Sequence, residues 1–243
     1  MTAARRRPPR IAVSDRLAVQ FAGLETTLLV RRHPRARRAS LRISADGEGV
    51  IVVLPARKRL EEGVALAREH AEWIRDRLRA LPRRVPFADG AVLPVHGRSL
   101  VVRQIQGQPA RVRETGDMLV VGGEAESISR RIEAWLRGEA RRVLTERAGA
   151  QAERLGRAPG RISIRDTRSR WGSCSSAGML SFSWRLILAP PEVLDYVVAH
   201  EMAHLAQRGH GAEFWRIVAR LTTHMDAGRA WLRLKGRDLF RYG

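Results

Sequence analysis

The sequence has little cysteine, almost no lysine and no long apolar run. Cys174 is the only cysteine in 243 residues, so neither an intrachain disulfide nor a cysteine-rich zinc site is available. The basic, proline-bearing residues 1–10 lack the apolar stretch of a signal peptide, and no later run is apolar enough to span a membrane. These absences exclude a disulfide-stabilised secreted fold and a membrane protein. We therefore expect a cytoplasmic protein.

Negative charge is also scarce relative to positive charge. The chain has 45 lysine and arginine residues against 25 aspartate and glutamate residues, a formal net charge of +20. Such a charge can attract nucleic acid or another anionic partner over long range. However, only Lys58 and Lys235 are lysines, and arginine recurs in every part of the chain, as a GC-rich coding sequence would produce. Nucleic acid therefore stays an open partner, while we expect the arginines to be spread evenly over the surface.

Hydrophobic periodicity divides the chain into three parts. Residues 1–14, rich in arginine and proline, are expected to form a disordered basic tail. Residues 15–123 predict a strand-rich domain with one helix at 60–81. Residues 124–243 predict a metal-binding catalytic domain, in which a long amphipathic helix from about 128 to 155 precedes a β-hairpin and further helices. The expected fold class is therefore α+β.

One motif in the third part points to the function of the chain. His200, Glu201 and His204 form H-E-x-x-H on a predicted helix, and His210 follows after Gly209. Two histidines four residues apart lie on one helix face, so both imidazoles can reach one metal ion. Glu201 lies next to that face, where it is placed to take a proton from water rather than to bind the metal. The glycine lets the chain turn, so that the third histidine can also point to the metal.

The surroundings of this motif favour a metal site over a chance match. Pro190 and Pro191 end the preceding segment, and a proline is well suited to the first turn of a helix. An apolar stripe along the predicted helix would bury it in the core. In the alternative interpretation the histidines and glutamate are ordinary core or polar-face residues, but burying them together without a partner would be costly. Three neutral imidazoles leave an open position on a zinc ion, as in catalytic sites, although manganese or nickel would also fit.

The arginines near the predicted hairpin allow two interpretations. Arg168, Arg170 and Arg185 are either solvated or structural side chains, or they line the metal cleft and hold a substrate carboxylate, a phosphate or a developing oxyanion. Cys174 is a poor candidate nucleophile, because no base can be assigned to it.

The motifs of the third part, with looser ones upstream, resemble a known family. They are residues 168–174 (RSRWGSC), 184–186 (WRL), 195–198 (DYVV), His200–Glu201–x–x–His204 and His210–x–x–x–Phe214–Trp215. This pattern resembles the YgjP-like metallopeptidases, which are similar to the SprT-like and WLM-type zinc proteases. The resemblance implies a zincin-like catalytic unit with a β-hairpin beside the metal helix. It also implies that His200, His204 and His210 bind zinc and that Glu201 is the general base.

The sequence therefore predicts a zinc-dependent hydrolase, first of all a metallopeptidase with a peptide or protein substrate. Glu201 takes a proton from the attacking water, and Arg185 or Arg170 helps the metal to hold the oxyanion. Two other functions remain open. One is hydrolysis of an anionic small molecule such as a nucleotide, and the other is DNA binding by a protein whose metal is structural. Peptide turnover, phosphate release and salt-sensitive DNA binding without turnover distinguish the three.

Overall fold

The structure is a computed structural model that divides into two compact units, Met1–Pro82 and Arg83–Gly243. It describes residues 13–21, 23–44, 49–81 and 83–243. Most of the expected disordered tail, residues 1–12, lies outside the described residues. Residues 13 and 14 do not belong to a tail, because they are part of the first strand.

The first unit contains a four-stranded sheet and two helices. Its elements are β1 (Val13–Phe21), β2 (Leu24–His33), β3 (Ser40–Ile43), β4 (Gly49–Pro55), α1 (Leu60–Glu69) and α2 (Ala71–Arg79). The strand order is β1-β2-β4-β3, with β2 and β4 parallel and the other pairs antiparallel. Alternate residues of the two central strands face the helices, and they form a core with Ala67 and Ile74.

The single helix predicted at 60–81 is in fact two helices. The backbone of His70 leaves the helical conformation, with φ −101° and ψ 22°. Its amide and its ring Nδ1 both lie within hydrogen-bonding distance of the carbonyl oxygen of Leu66. Because the side chain shares this carbonyl with the backbone, the regular helix is interrupted at His70 and resumes at Ala71.

The second unit contains two sheets and four helices. Its elements are β5 (Val92–Val95), β6 (Arg98–Ile105), β7 (Val112–Thr115), β8 (Met118–Gly122), α3 (Ile128–Leu155), β9 (Ile162–Arg165), β10 (Gly172–Cys174), β11 (Leu180–Ser183), α4 (Pro191–Ala203), α5 (Ala212–Leu221) and α6 (Met225–Lys235). The first sheet has the order β5-β6-β8-β7, and the second has the order β10-β11-β9. The predicted long helix and hairpin are thus confirmed as α3 and as β10 with β11.

The domain boundary expected at residue 123 differs from the division seen in the structure, which falls after Pro82. The strands β5 to β8 contribute Leu93, Leu100 and Leu119 to the same core as the helices α3 and α4. Their apolar side chains are therefore buried within the second unit, and a boundary at 123 would cut through that core. The α+β class is confirmed, since strands dominate the first half of the chain and helices the second. Among the described residues, no helix has the length and hydropathy needed to cross a membrane.

Candidate metal centre

The helix α4 carries the H-E-x-x-H motif through the core of the second unit. Pro191 occupies its first turn, and Glu192 places a negative charge there. Side chains on nearly all sides of α4 are buried, as is typical of a helix that crosses a core. Beyond Ala203 the amides of Ala206 and Gln207 both donate to the carbonyl of Ala203, so the chain tightens and turns away from the helix axis. Packing and this turn therefore determine where the motif lies.

The structure brings the three predicted ligands together. One nitrogen from each of His200, His204 and His210 can be chosen so that all three lie within 4.8 Å of one another. The Nε2 atoms of His200 and His210 are 3.2 Å apart. Two nitrogen ligands of one tetrahedral zinc ion lie about 3.3 Å apart, given Zn–N bonds of about 2.0–2.1 Å. The residues present therefore fit a divalent metal ion held by three imidazoles.

Neighbouring groups orient these rings. The Nδ1 atom of His204 lies 3.2 Å from the carbonyl oxygen of Gln207. A proton on Nδ1 would donate to that oxygen and leave Nε2 as the ligand atom, which is the usual support for a metal-binding histidine. Phe214, which is fully buried, lies with its ring centroid 5.0, 4.6 and 4.6 Å from those of His200, His204 and His210. It is a core residue beneath the three histidines.

The electrostatic environment keeps two of the ligands neutral. Burial, with the other two histidines as smaller causes, lowers the pKa of His200 to about 4. Burial also lowers the pKa of His204. Because only a neutral imidazole nitrogen can bind a metal ion, this environment leaves both rings ready to bind at neutral pH.

Glu201 lies one residue along the helix, and its carboxyl group is buried. Burial raises its pKa to about 7 in the metal-free protein, while the charge of Arg170 and a hydrogen bond from the amide of Cys174 lower it. A Cβ atom on Gly172 would lie 2.5 Å from Cγ of Glu201. Glycine is therefore needed at 172 for strand β10 to lie directly against the glutamate.

A cleft of about 470 Å³ opens onto these groups. It is lined by the three histidines, Glu201, Arg170, Arg208 and residues 172–175 of β10 and the turn after it. β10 is an edge strand, since the order of its sheet is β10-β11-β9. Trp171 accepts a hydrogen bond from Ser183 of β11, and Ser175 donates one to Met179, the residue before β11. The peptide groups of Gly172 and Cys174 therefore point away from β11. The cleft thus has the metal ligands on one side and an unpaired strand edge on another.

The structure separates the two arginines that the sequence predicts at the oxyanion. Arg170 lines the cleft and acts electrostatically on Glu201. Arg185 does not line the cleft in the part of the chain that the structure describes. It is buried, pairs with Asp166, and donates to the carbonyl oxygens of Leu239 and Tyr242. These structural contacts occupy its donors and do not favour the catalytic role expected for Arg185.

Three further side chains, those of Arg168, His224 and Cys174, are less suited to a role at the metal. Arg168 is absent from the cleft lining, and burial together with the charge of Arg185 lowers its pKa. His224 does not join the three-histidine group and lies 3.9 Å from Asp195. Burial and the charge of Glu201 raise the pKa of Cys174, which disfavours the thiolate that a nucleophile requires.

Two features of the cleft are missing from the sequence predictions. Arg208 lies between the second and third predicted ligands, and that position is the signal that would have suggested it. Gly172 belongs to a recognised motif, yet its contact with Glu201 depends on the packing of two distant segments. Conversely, the φ angle of Gly209 is not positive, and a Cβ atom added there would meet no other atom within 4 Å. The turn to His210 therefore does not require glycine at 209.

A comparison with protein families identifies the family of this chain. The family model described as "YgjP-like, metallopeptidase domain" matches residues 37–235. No curated protein matches the chain. Among solved structures, the chain is similar to the metallopeptidase zymogen abylysin of Pyrococcus abyssi. The identity is 21%, the TM-score is 0.34, and the match covers 38% of this chain and 95% of that one. The family match spans most of the sequence and contains the whole histidine cluster, and the chain therefore belongs to the YgjP-like metallopeptidase family.

Proposed function

We propose that this protein is a zinc-dependent peptidase in which His200, His204 and His210 hold the metal and Glu201 is the general base. The observation that carries the proposal is the three-histidine cluster beside a buried carboxylate at an open cleft. A bound zinc ion would supply Lewis acidity to a water molecule and to the carbonyl of the substrate. The remaining chemistry belongs to side chains of the chain itself.

Glu201 handles the proton. One of its carboxylate oxygens accepts a proton from the attacking water and then returns it to the nitrogen of the leaving amine. The hydrogen bond from the amide of Cys174 holds the carboxylate in the cleft, and burial makes it a stronger base than an exposed glutamate. With a cation bound to the three histidines, the pKa of Glu201 would lie below its metal-free value, so the Glu201 carboxylate would stay ionised and able to accept the proton.

The unpaired edge of β10 supports a peptide as the substrate. An extended peptide can add to such an edge through main-chain hydrogen bonds, which leaves its side chains free to enter neighbouring pockets. The carbonyl oxygens of Gly172 and Cys174 and the amide of Gly172 are the groups available for this pairing. A peptide bound there would pass directly over Glu201 and the ligand nitrogens.

Arg170 is proposed to stabilise negative charge that develops on the substrate carbonyl oxygen. It is the arginine of the cleft whose charge acts on Glu201, and its guanidinium offers several donors for an oxyanion. Because it is exposed, we expect it to contribute to binding and rate without being required for metal binding.

The test combines metal analysis with turnover. Protein purified without chelator should contain about one zinc per chain and should cleave members of a mixed peptide library, with products identified by mass spectrometry. Glu201→Gln should retain the zinc and the fold but lose at least about 100-fold in kcat/KM, because glutamine cannot accept the proton. A fully active Glu201→Gln protein would contradict the mechanism.

The two arginines of the cleft favour one second candidate, a hydrolase of an anionic small molecule such as a nucleotide. The same zinc-loaded protein, incubated with nucleoside triphosphates, would then release phosphate at a rate that depends on Glu201. Phosphate release without peptide cleavage would replace the peptidase proposal with this one.

A further inference from the structure

A second, smaller pocket opens beside the metal centre on the His204 side. Its volume is about 300 Å³, and it shares Ser175, His204 and Arg208 with the main cleft. Arg157 also lines it, so two guanidinium groups face one small space. No acidic residue is among the described residues that line this pocket.

We infer that this pocket is a subsite for a substrate carboxylate, held by Arg157 and Arg208 next to the bond that is cut. The inference rests on the proposed peptidase function for the identity of the substrate. It goes beyond that function because it names the chemical class that the enzyme prefers, an acidic peptide. The carboxylate can come from an aspartate or glutamate side chain or from the carboxyl terminus of the peptide.

Both arginines are held in place by backbone carbonyl groups of different segments. Arg157 follows the left-handed Gly156 that ends α3, and its Nη1 donates to the carbonyl oxygen of Leu205 at 2.6 Å. Arg208 donates from Nη2 to the carbonyl oxygen of Ser176, also at 2.6 Å. A guanidinium has five N–H donors, so each arginine keeps donors for a ligand after this contact. The anchoring bonds restrict the side chains without neutralising their charge.

The electrostatics of the pocket favour an anion. Two cations that line one small pocket repel each other, and an anion between them removes that repulsion while accepting charge-assisted hydrogen bonds. The hydroxyl of Ser175 accepts the amide of Met179, so its own proton remains available as a further donor. A carboxylate fits this donor set, because each of its two oxygens can accept more than one hydrogen bond.

The position of the pocket places the carboxylate close to the reacting bond. His204 belongs to both the pocket and the metal cluster. Ser175 immediately follows β10, the strand along which the peptide is proposed to lie. A side chain or terminus bound in the pocket would therefore belong to a residue near the scissile bond rather than to a distant part of the substrate.

The experiment measures binding, so that it does not depend on turnover. Zinc-loaded Glu201→Gln protein is titrated into fluorescein-labelled octapeptides, and Kd is obtained from fluorescence anisotropy. The peptides carry aspartate or asparagine at each position in turn, and each is made with a free carboxyl terminus and with a terminal amide. We expect one acidic form to bind about tenfold more tightly than its neutral counterpart, the gain of a charge-assisted contact.

Substitutions of the two arginines test whether these residues cause the preference for acidic peptides. Arg208→Ala and Arg157→Ala in the same background should each reduce the acidic preference to within about twofold, while Arg208→Lys should retain part of it. Arg220→Ala is the matched control, because it removes the same charge from an exposed position on α5. It should leave the preference unchanged. A drop confined to aspartate peptides identifies a side-chain subsite, and a drop confined to free carboxyl termini identifies a terminal one.

Three results would overturn the inference: no acidic preference, a preference that survives both substitutions, or an equal drop in Arg220→Ala. The last would indicate general attraction by the +20 charge. Failure of the peptidase proposal is separate, since it would appear as absence of peptide cleavage by the unsubstituted zinc-loaded protein. Circular dichroism of Arg208→Ala and Arg208→Lys shows whether loss of binding reflects loss of folding.

Discussion

The metal centre is built from two regions of different character, a buried helix and an exposed loop. The helix wall, residues 200–204 at the end of α4, carries His200, Glu201 and His204 and is packed into the core of the second unit. The loop wall, residues 207–211, carries Arg208 and His210 on exposed positions. The same metal ion would thus be held by ligands of unequal rigidity.

The helix wall and the loop wall contribute to the site in different ways. The proposed general base and two of the proposed ligands are positioned by the packing of α4 within the core. The third ligand and one of the two subsite arginines belong to a segment with little packing of its own, so metal binding can order it. Truncation of a ligand side chain on the helix wall to alanine should therefore disturb the fold and the site together, whereas truncation on the loop wall should disturb the site alone.

Removal of single ligands provides the most direct test of this comparison. His200→Ala, His204→Ala and His210→Ala should each weaken zinc binding by about 100-fold or more, since even outer-shell partners of a metal are worth about 10- to 100-fold. A competition titration with a zinc chelator gives the affinities. Urea unfolding of the metal-free proteins then distinguishes the helix wall from the loop wall. On the loop wall, His210→Ala should change the free energy of unfolding by less than about 0.5 kcal/mol.

Full zinc affinity in His210→Ala would break the comparison, because the loop wall would then contribute no ligand. Glu213, an exposed carboxylate at the start of α5, would become the next residue to substitute. A loss of stability in metal-free His210→Ala would instead indicate that the loop is packed more firmly than its exposure suggests.

Substitution of Arg185, a buried residue outside the cleft, tests whether the stability of the fold can be reduced without a change in zinc affinity. Its guanidinium, 8% exposed, joins Asp166 to the C-terminal segment that includes Leu239 and Tyr242. Arg185→Ala would remove the donor from the buried carbonyl group of Leu239 and the partly buried one of Tyr242, so the free energy of unfolding should fall by about 2 kcal/mol. Arg220→Ala, measured in the same urea titration, should show no such loss. Zinc affinity of the folded Arg185→Ala protein should stay unchanged, and a large loss would restore a direct role at the metal.

Two glycine-to-alanine substitutions compare a residue that contacts the helix wall, Gly172 of β10, with a residue of the loop wall, Gly209. Gly172→Ala places a Cβ within 2.5 Å of the Glu201 side chain, so β10 or the glutamate has to move. The resulting displacement should reduce kcat/KM by about tenfold, comparable to the cost of a modest overpacking. Gly209→Ala, where the added Cβ meets nothing within 4 Å, should remain within about twofold of the unsubstituted enzyme. Equal effects of the two substitutions would show that the contact between β10 and Glu201 is not what positions the base.

The last prediction concerns the effect of pH on the buried carboxyl group of Glu201. In the metal-free protein the pKa of Glu201 is raised from 4.5 to about 7, so the folded state binds more protons than the unfolded state between these pH values. The contribution of Glu201 to stability is therefore present below about pH 4.5 and is lost as the pH rises to about 7. Glu201→Gln lacks this loss, and it should gain up to about 3 kcal/mol relative to the unsubstituted protein as the pH rises across that range.

Urea unfolding in chelator at several pH values measures this difference. The lowered pKa of His200 acts in the opposite direction, but it is common to both proteins and cancels in the comparison. Glu153→Gln, which removes an exposed carboxylate on α3, controls for the change in net charge. A difference between Glu201→Gln and the unsubstituted protein that does not vary with pH would contradict the burial argument.

Local features of the chain were sufficient to predict the elements that carry the site. Helical spacing of apolar residues predicted a long helix from about 128 to 155, and this helix is confirmed. The spacing of His200 and His204 predicted that the two imidazoles face one point. Such patterns are readable because the periods of helices and strands are properties of a few consecutive residues. The same reasoning failed at His70, where the side chain competes with the backbone for a carbonyl group. It predicted one helix where the structure has two.

The sequence by itself determined the metal-binding chemistry: three imidazoles and a carboxylate at a spacing that a helix and the turn after it bring to one place. Only the tertiary structure decided which arginine faces the cleft, where the first unit ends, and that Gly172 lies against Glu201. Arg170 and Arg185 are equivalent in any local pattern, and they differ because one lies at an open edge and the other beneath the C-terminal segment. Contacts between residues distant in the chain depend on how apolar faces pack, and no short stretch of sequence contains that information.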